Sequence, residues 1–156
     1  MKIFSIIITT FLSTTIFAQT KTFTLLDTNV IAGQIYTTRQ IQFDLAKRTV
    51  RPESNILLDS IVSFMNRNKK VVIEIGVHLD SRAIKHSSDN LSMYRATSIA
   101  NYLIKQGIPA DRIIAKGYGA IKLLISDATI NKANTREEKE TLHVYNRRVT
   151  LKVISS

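Results

Sequence analysis

The run Val71 to Ile75 constrains the chain most. Four apolar, β-branched residues broken only by Glu74, bounded by Lys70 and Gly76, form a compact segment too short for a helix and suited to a central β-strand. An amphipathic segment stands on each side of it. Upstream, Pro52 fits a first helical position and Glu53 favours a first turn, while Leu57, Ile61, Phe64 and Met65 recur at helical spacing. This predicts a helix over 52–66. Downstream, 90–106 reads as a second helix, with Ser87, Ser88 or Asp89 as its cap and a stop at Gly107 followed by Pro109. A strand buried between two helices requires a sheet with helices packed on it.

The remaining segments extend that sheet. Ile41 and Phe43 alternate with Gln42 and Asp44, which predicts a short strand. Residues 112–116 make another, ended by the Gly117, Tyr118, Gly119 turn, and Val149, Leu151 and Val153 alternate with Thr150 and Lys152 in a last one over 148–154. Between these two lies an irregular segment in which 136–143 can form one or two helical turns. The order predicts an α+β two-layer sandwich, β-α-β-α-β-(short helix or loop)-β, with the helices on one face of a mixed sheet. The domain is expected over 41–156, preceded at 19–40 by a short β-rich lead-in holding one or two weak strands.

Residues 1–18 read as a secretory signal peptide: Lys2 supplies a positive start, Ile3 to Phe17 is apolar or small, and Ala18 precedes the expected cleavage. The apolar run is short of the roughly 20 residues of a membrane span. About 138 residues then remain, enough for one domain with a sizeable core. Cysteine is absent, so neither a disulfide framework nor thiolate metal ligation is available. The formal charge of +10 favours anionic partners, and with an export signal nucleic acid is the poorest of these.

The chemistry concentrates in HLDSRAIKHSSDNLSMYR, from His78 to Arg95. Leu91, Arg95, Ile99 and Leu103 lie four apart on the second helix, so Arg95 stands in line with residues that face the sheet. A half-buried guanidinium calls for a partner, either an internal one, most simply Asp80, or a ligand. Enzymatic readings find little support: three histidines, no Gly-x-Ser-x-Gly, and no paired carboxylates in a shared motif. His78, Asp80 and His86 match no familiar metal spacing, and the glycines around Tyr118 read as a turn rather than a phosphate loop. No cofactor is expected.

Across 41–153 the pieces IQFD, HLD, NLSMYRA, YLIKQGIPADRIIAKGYG and NRRV follow one another in an order and spacing that resemble the OmpA-like C-terminal domain, a peptidoglycan-binding module. The resemblance implies a non-catalytic protein of the periplasm, associated with the cell wall or outer membrane, whose partner is the peptidoglycan stem peptide, with an envelope protein as a possible second partner. It also implies a site for diaminopimelate. Asp80 would take the ammonium and Arg95 a carboxylate, with Leu79, Ser88 and Arg147 around them. A planar guanidinium suits that two-point recognition. Several positions depart from the family pattern: Leu79 stands in place of Thr, Ala83 of a loop Gly, Ser88 of Asn, and Ala120 and Leu123 replace an acid and a Pro after GYG. The second reading is an interaction protein of the envelope with the same fold, in which Asp80 and Arg95 pair internally.

Overall fold

The computed structural model describes residues 21–83 and 90–156. The expected signal peptide, the proposed cap residues 87–89, His86 and Ser88 lie outside the described residues.

Four strands form one mixed sheet: β1 (Ile35–Thr38), β2 (Val72–His78), β3 (Ile113–Gly119) and β4 (Arg148–Ser155), in the order β1-β4-β2-β3. β4 runs antiparallel to both β1 and β2, and β2 runs parallel to β3. The parallel pair requires a crossover, and helix α2 (Leu91–Lys105) supplies it, packed on both strands. Helix α1 (Asn55–Arg67), entered through a 3₁₀ turn at Pro52–Ser54, lies beside α2. Alternation sorts the strands as anticipated: Ile73, Ile75 and Val77 of β2 and Val149, Leu151 and Val153 of β4 are buried against Leu58, Ile61, Phe64 and Met65 of α1 and Ala96, Ile99 and Leu103 of α2. The two-layer α+β sandwich is therefore the fold. No helix among the described residues is long and apolar enough to cross a membrane.

The edge strand differs from expectation. β1 falls at Ile35–Thr38, within the segment read as a lead-in, and pairs Ile35 with Lys152 through to Thr38 with Val149. Ile41 is buried without joining a strand, and Phe43 forms only an isolated bridge to Val50. The reason lies in where the backbone groups of 40–42 find partners: Gln42 N–H donates to Ser54 Oγ (2.8 Å), Arg51 N–H to Gln42 carbonyl (2.9 Å), and the Ser54 hydroxyl to Gln40 carbonyl (3.3 Å). These bonds turn the chain from β4 toward α1. The residues before β1 also enter the core: Phe23 stacks on Phe64 at 5.1 Å, Val30 is buried, and Gly33 N–H donates to Val153 carbonyl (2.8 Å).

The segment after β3 carries a 4-residue helix α3 (Asp127–Ile130) and an 11-residue helix α4 (Arg136–Asn146), longer than the one or two turns expected. Thr135 and Glu138 form a full capping box, so α4 starts with its first donors satisfied. Its last residue, Asn146, is fully buried and bonds Leu124 N–H, Ile125 N–H and Ile125 carbonyl, which ties the preceding loop to the foot of β4.

α2 is held close to β3 because Gly117 has no side chain. A Cβ there would lie 2.5 Å from Ser92 Oγ and against the Met93 backbone, a clash with a packed helix turn rather than with a flexible tip. Gly117→Ala is expected to destabilise the protein by about 2 kcal/mol and to push the first turn of α2 outward. Chemical denaturation measures the loss, and an unchanged midpoint would show that this turn yields freely.

Candidate functional site

Three segments converge at the C-terminal end of β2: the β2–α2 connection, the start of α2, and the α4–β4 junction. The strand end itself is fixed by Leu79 N–H donating to Gly119 carbonyl (2.8 Å), beside an irregularity where His78 pairs with Gly119. Asp80 follows, 5 % exposed. A buried carboxylate requires cations, and Asp80 has two: Arg82 Nη2 at 2.8 Å and Arg147 Nη1 at 2.6 Å, with the Arg82 backbone N–H donating to Oδ1 at 3.0 Å. Both arginines also bind Glu140 of α4, Arg82 Nη1 at 2.7 Å and Arg147 Nη2 at 2.8 Å. Burial by itself would raise the Asp80 carboxyl, but the hydrogen bonds and charges of Arg82 and Arg147 together hold it below the usual carboxylate range. The same two guanidinium groups pull Glu140 down to about 2.

Arg95 stands apart from this cluster of four. Its Nε donates to Lys47 carbonyl (2.9 Å) and its Nη2 to Asp44 carbonyl (3.0 Å), while its guanidinium carbon lies 4.7 Å from the centre of the Phe43 ring. These contacts clamp the turn 44–47, where Ala46 takes φ of 56° and Leu45 is 96 % exposed. The ion pair of Asp80 with Arg95, expected under the second reading, is not formed. Asp80 is satisfied by Arg82 and Arg147, and Arg95 by two carbonyls and a ring. Because an α-helix advances 3.6 residues per turn, positions four apart drift around it. Ile99 and Leu103 are buried, while Leu91 and Arg95, at the other end of the stripe, fall half-buried on the edge that faces the site. Burial, with a smaller contribution from the charge of Arg147, lowers the pKa of Arg95 from its ordinary value.

Four of the five residues singled out in the sequence, Leu79, Asp80, Arg95 and Arg147, line one cavity of about 530 Å³. Ser88 lies outside the described residues. The same cavity is lined by Phe43, Leu45, Arg82, Leu91 and Glu140, which sequence reasoning did not select. One side, with Leu45, Leu79 and Leu91, is apolar, and the other carries the ion pairs. A signal for Glu140 was present only in part: it stands seven residues before Arg147, about two helical turns, but Arg147 lies just past the end of α4. Arg82 gave none, since its role depends on the fold of the loop.

Comparison with known proteins gives a consistent placement. The OmpA family model matches residues 42–137. Outer membrane protein P5 of Haemophilus influenzae is 29 % identical over 113 residues, covering 72 % of this chain and 32 % of that protein, and outer membrane protein A of Serratia odorifera is 32 % identical over 129 residues, covering 80 % and 52 %. The chain thus spans about a third of the length of the first of these relatives and about half of the second. Among solved structures, the cell wall anchor of the type VI secretion system from Pseudomonas aeruginosa matches with a TM-score of 0.62 at 23 % identity over 81 % of this chain and 87 % of that one. The peptidoglycan-associated lipoprotein from Burkholderia pseudomallei matches with a TM-score of 0.55 at 19 % identity over 72 % and 87 %. These two likenesses concern the fold.

Proposed function

The chain belongs to the OmpA family, and on that premise we propose that it is a non-catalytic module of the cell envelope that holds peptidoglycan through the diaminopimelate of the stem peptide. The observation that carries this reading is that one cavity is lined both by the buried Asp80 carboxylate, held by Arg147 at 2.6 Å, and by Arg95, which has no bond to it. A zwitterionic amino acid at the end of a peptide presents the complementary groups. Its ammonium would bind Asp80, its carboxylate would take the Arg95 fork, and its aliphatic chain would lie on Leu79 and Leu91. An exported protein would meet this ligand in the periplasm. The curated relatives named above are outer membrane proteins, in keeping with that location.

The direct test is co-sedimentation of the protein with purified sacculi, with free meso-diaminopimelate as competitor. Retention that the free amino acid reverses is the expected result. Retention that ignores it would sink the diaminopimelate assignment, and absence of retention would sink wall binding.

One detail of the site sets the affinity. In the free protein the Asp80 carboxylate is fully engaged by Arg82 and Arg147, so an incoming ammonium must displace one of them. Arg82 makes more of those bonds, but it is carried on a loop and is the one able to swing away, whereas Arg147 sits at the junction of α4 and β4. Removing Arg82 leaves Asp80 with one guanidinium partner and an open position. Arg82→Ala is expected to bind diaminopimelate on the order of tenfold more tightly, as loss of a competing conformation does, with a loss of stability of about 1 kcal/mol, because the buried Asp80 keeps Arg147 and the backbone N–H of residue 82 as partners. Calorimetric titration of both proteins checks this; weaker binding by the variant would show that Arg82 belongs to the ligand's contacts.

A further inference from the structure

A second cavity of about 320 Å³ shares Phe43, Arg95 and Arg147 with the first. Four arginines border it, Arg39, Arg95, Arg147 and Arg148, together with Gln42 and His78, and no carboxylate is among its described lining residues. The charges around it do not cancel. Arg82 and Arg147 are neutralised by Asp80 and Glu140 as a group of four. Arg39, Arg95 and Arg148 have no carboxylate partner among the described residues: Arg39 lies 4.8 Å from the centre of the Tyr145 ring, Arg95 bonds the Asp44 and Lys47 carbonyls, and Arg148, 8 % exposed, bonds the Asn146 and Lys122 carbonyls at 3.1 and 3.0 Å. Three arginines without a carboxylate partner therefore border one concave space, where a counter-ion is worth more than in open water. A second, independent feature points the same way. His78, 5 % exposed, borders this cavity, and its Nδ1 is buried without a hydrogen-bond partner.

We propose that this cavity is an oxyanion subsite, and that it receives a second carboxylate of the peptide whose amino acid occupies the first cavity. The choice of occupant, but not of the anion site, rests on the wall-binding reading. Continuity argues for it. The two cavities share Phe43, Arg95 and Arg147, so one extended ligand can reach both while the shared guanidinium groups contact it from either side. The first cavity has the carboxylates to fix an ammonium; the second has none and can fix only negative charge.

The experiment has two arms. In the first, the protein is titrated with inorganic phosphate and followed by NMR at the His78 ring and the Arg39 Nε–H. A saturable shift at both is expected, with the His78 titration moving to higher pH as the bound anion offsets the charges of Arg148 and Lys122 beside it. Arg39→Gln, on an exposed residue that does not line the first cavity, should weaken phosphate at least about threefold. No saturable shift, or equal affinity in the variant, overturns the subsite. In the second arm, a diaminopimelate-containing peptide with a free terminal carboxylate is compared with its amide. About tenfold tighter binding of the free acid, with the difference lost in Arg39→Gln, supports the assigned occupant. Equal binding of acid and amide overturns it. Phosphate binding without any peptide binding overturns both the wall reading and the occupant while supporting the anion site.

Discussion

Asp80→Ala is expected to abolish retention on sacculi with only modest loss of stability, whereas Arg95→Ala is expected to abolish it with a substantial one. The contrast follows from what each side chain holds. Removing the Asp80 carboxylate leaves Arg82 and Arg147 in contact with Glu140, on the exposed side of the cluster, so neither cation is stranded. On the proposed reading the ligand's ammonium would lose its buried counter-charge, which should cost on the order of a hundredfold in affinity or more. Arg95 fastens the turn 44–47 through two carbonyl bonds and covers the Phe43 ring. Truncating it leaves those carbonyls without their donor and opens a strained turn containing Ala46 at φ 56°, which should cost about 2–3 kcal/mol. Arg95→Lys separates the two roles. A lysine keeps the charge but cannot bridge both carbonyls and a ligand carboxylate with a planar fork. Denaturation and sedimentation measured side by side on the three variants decide the matter. Normal retention by Asp80→Ala would remove the carboxylate from the ligand's contacts.

The parts of this site that sequence made legible are those set by local periodicity. The 3.6-residue stripe placed Arg95 on the buried side of its helix, and the end of the β-branched run placed Asp80 where a strand gives way to a loop. What it left open was how each charge is satisfied. The stripe says that Arg95 needs partners but not that two backbone carbonyls and Phe43 provide them, because those lie some fifty residues away on a turn fixed only by tertiary packing. The same limit explains the edge strand. Ile41 and Phe43 alternate as a strand should, and Ile35 to Thr38 less clearly, but Ser54 and Arg51 take the hydrogen bonds of 40–42 and leave β4 to the earlier segment. α4 was underestimated for a different reason. Its capping box, Thr135 with Glu138, is a local signal in plain view, and its polar composition hid it.

His78 makes stability depend on pH just below neutrality. It sits on the sheet face away from the helices, stacked on Tyr118 at 4.6 Å and nearly parallel, with Nε2 3.3 Å from Thr150 Oγ1. Burial first, then the charges of Arg148 from β4 and Lys122 from the loop after β3, lower its pKa from 6.5 to about 4. In the unfolded chain the ring binds a proton near pH 6.5, and in the folded protein only near pH 4. Between those values the unfolded state holds more protons, so stability rises with pH; it is fully present above about 6.5 and declines as the pH falls toward 4. The two and a half units correspond to about 3 kcal/mol, or roughly 10 °C in Tm for a domain of this size. His78→Phe keeps a ring against Tyr118 and removes the titration. It should therefore show a nearly flat Tm from pH 7 to 4.5, where the parent protein falls steadily. Calorimetric melts across that interval make the comparison. Parallel slopes in the two proteins would mean that the imidazole is protonated in the fold without penalty.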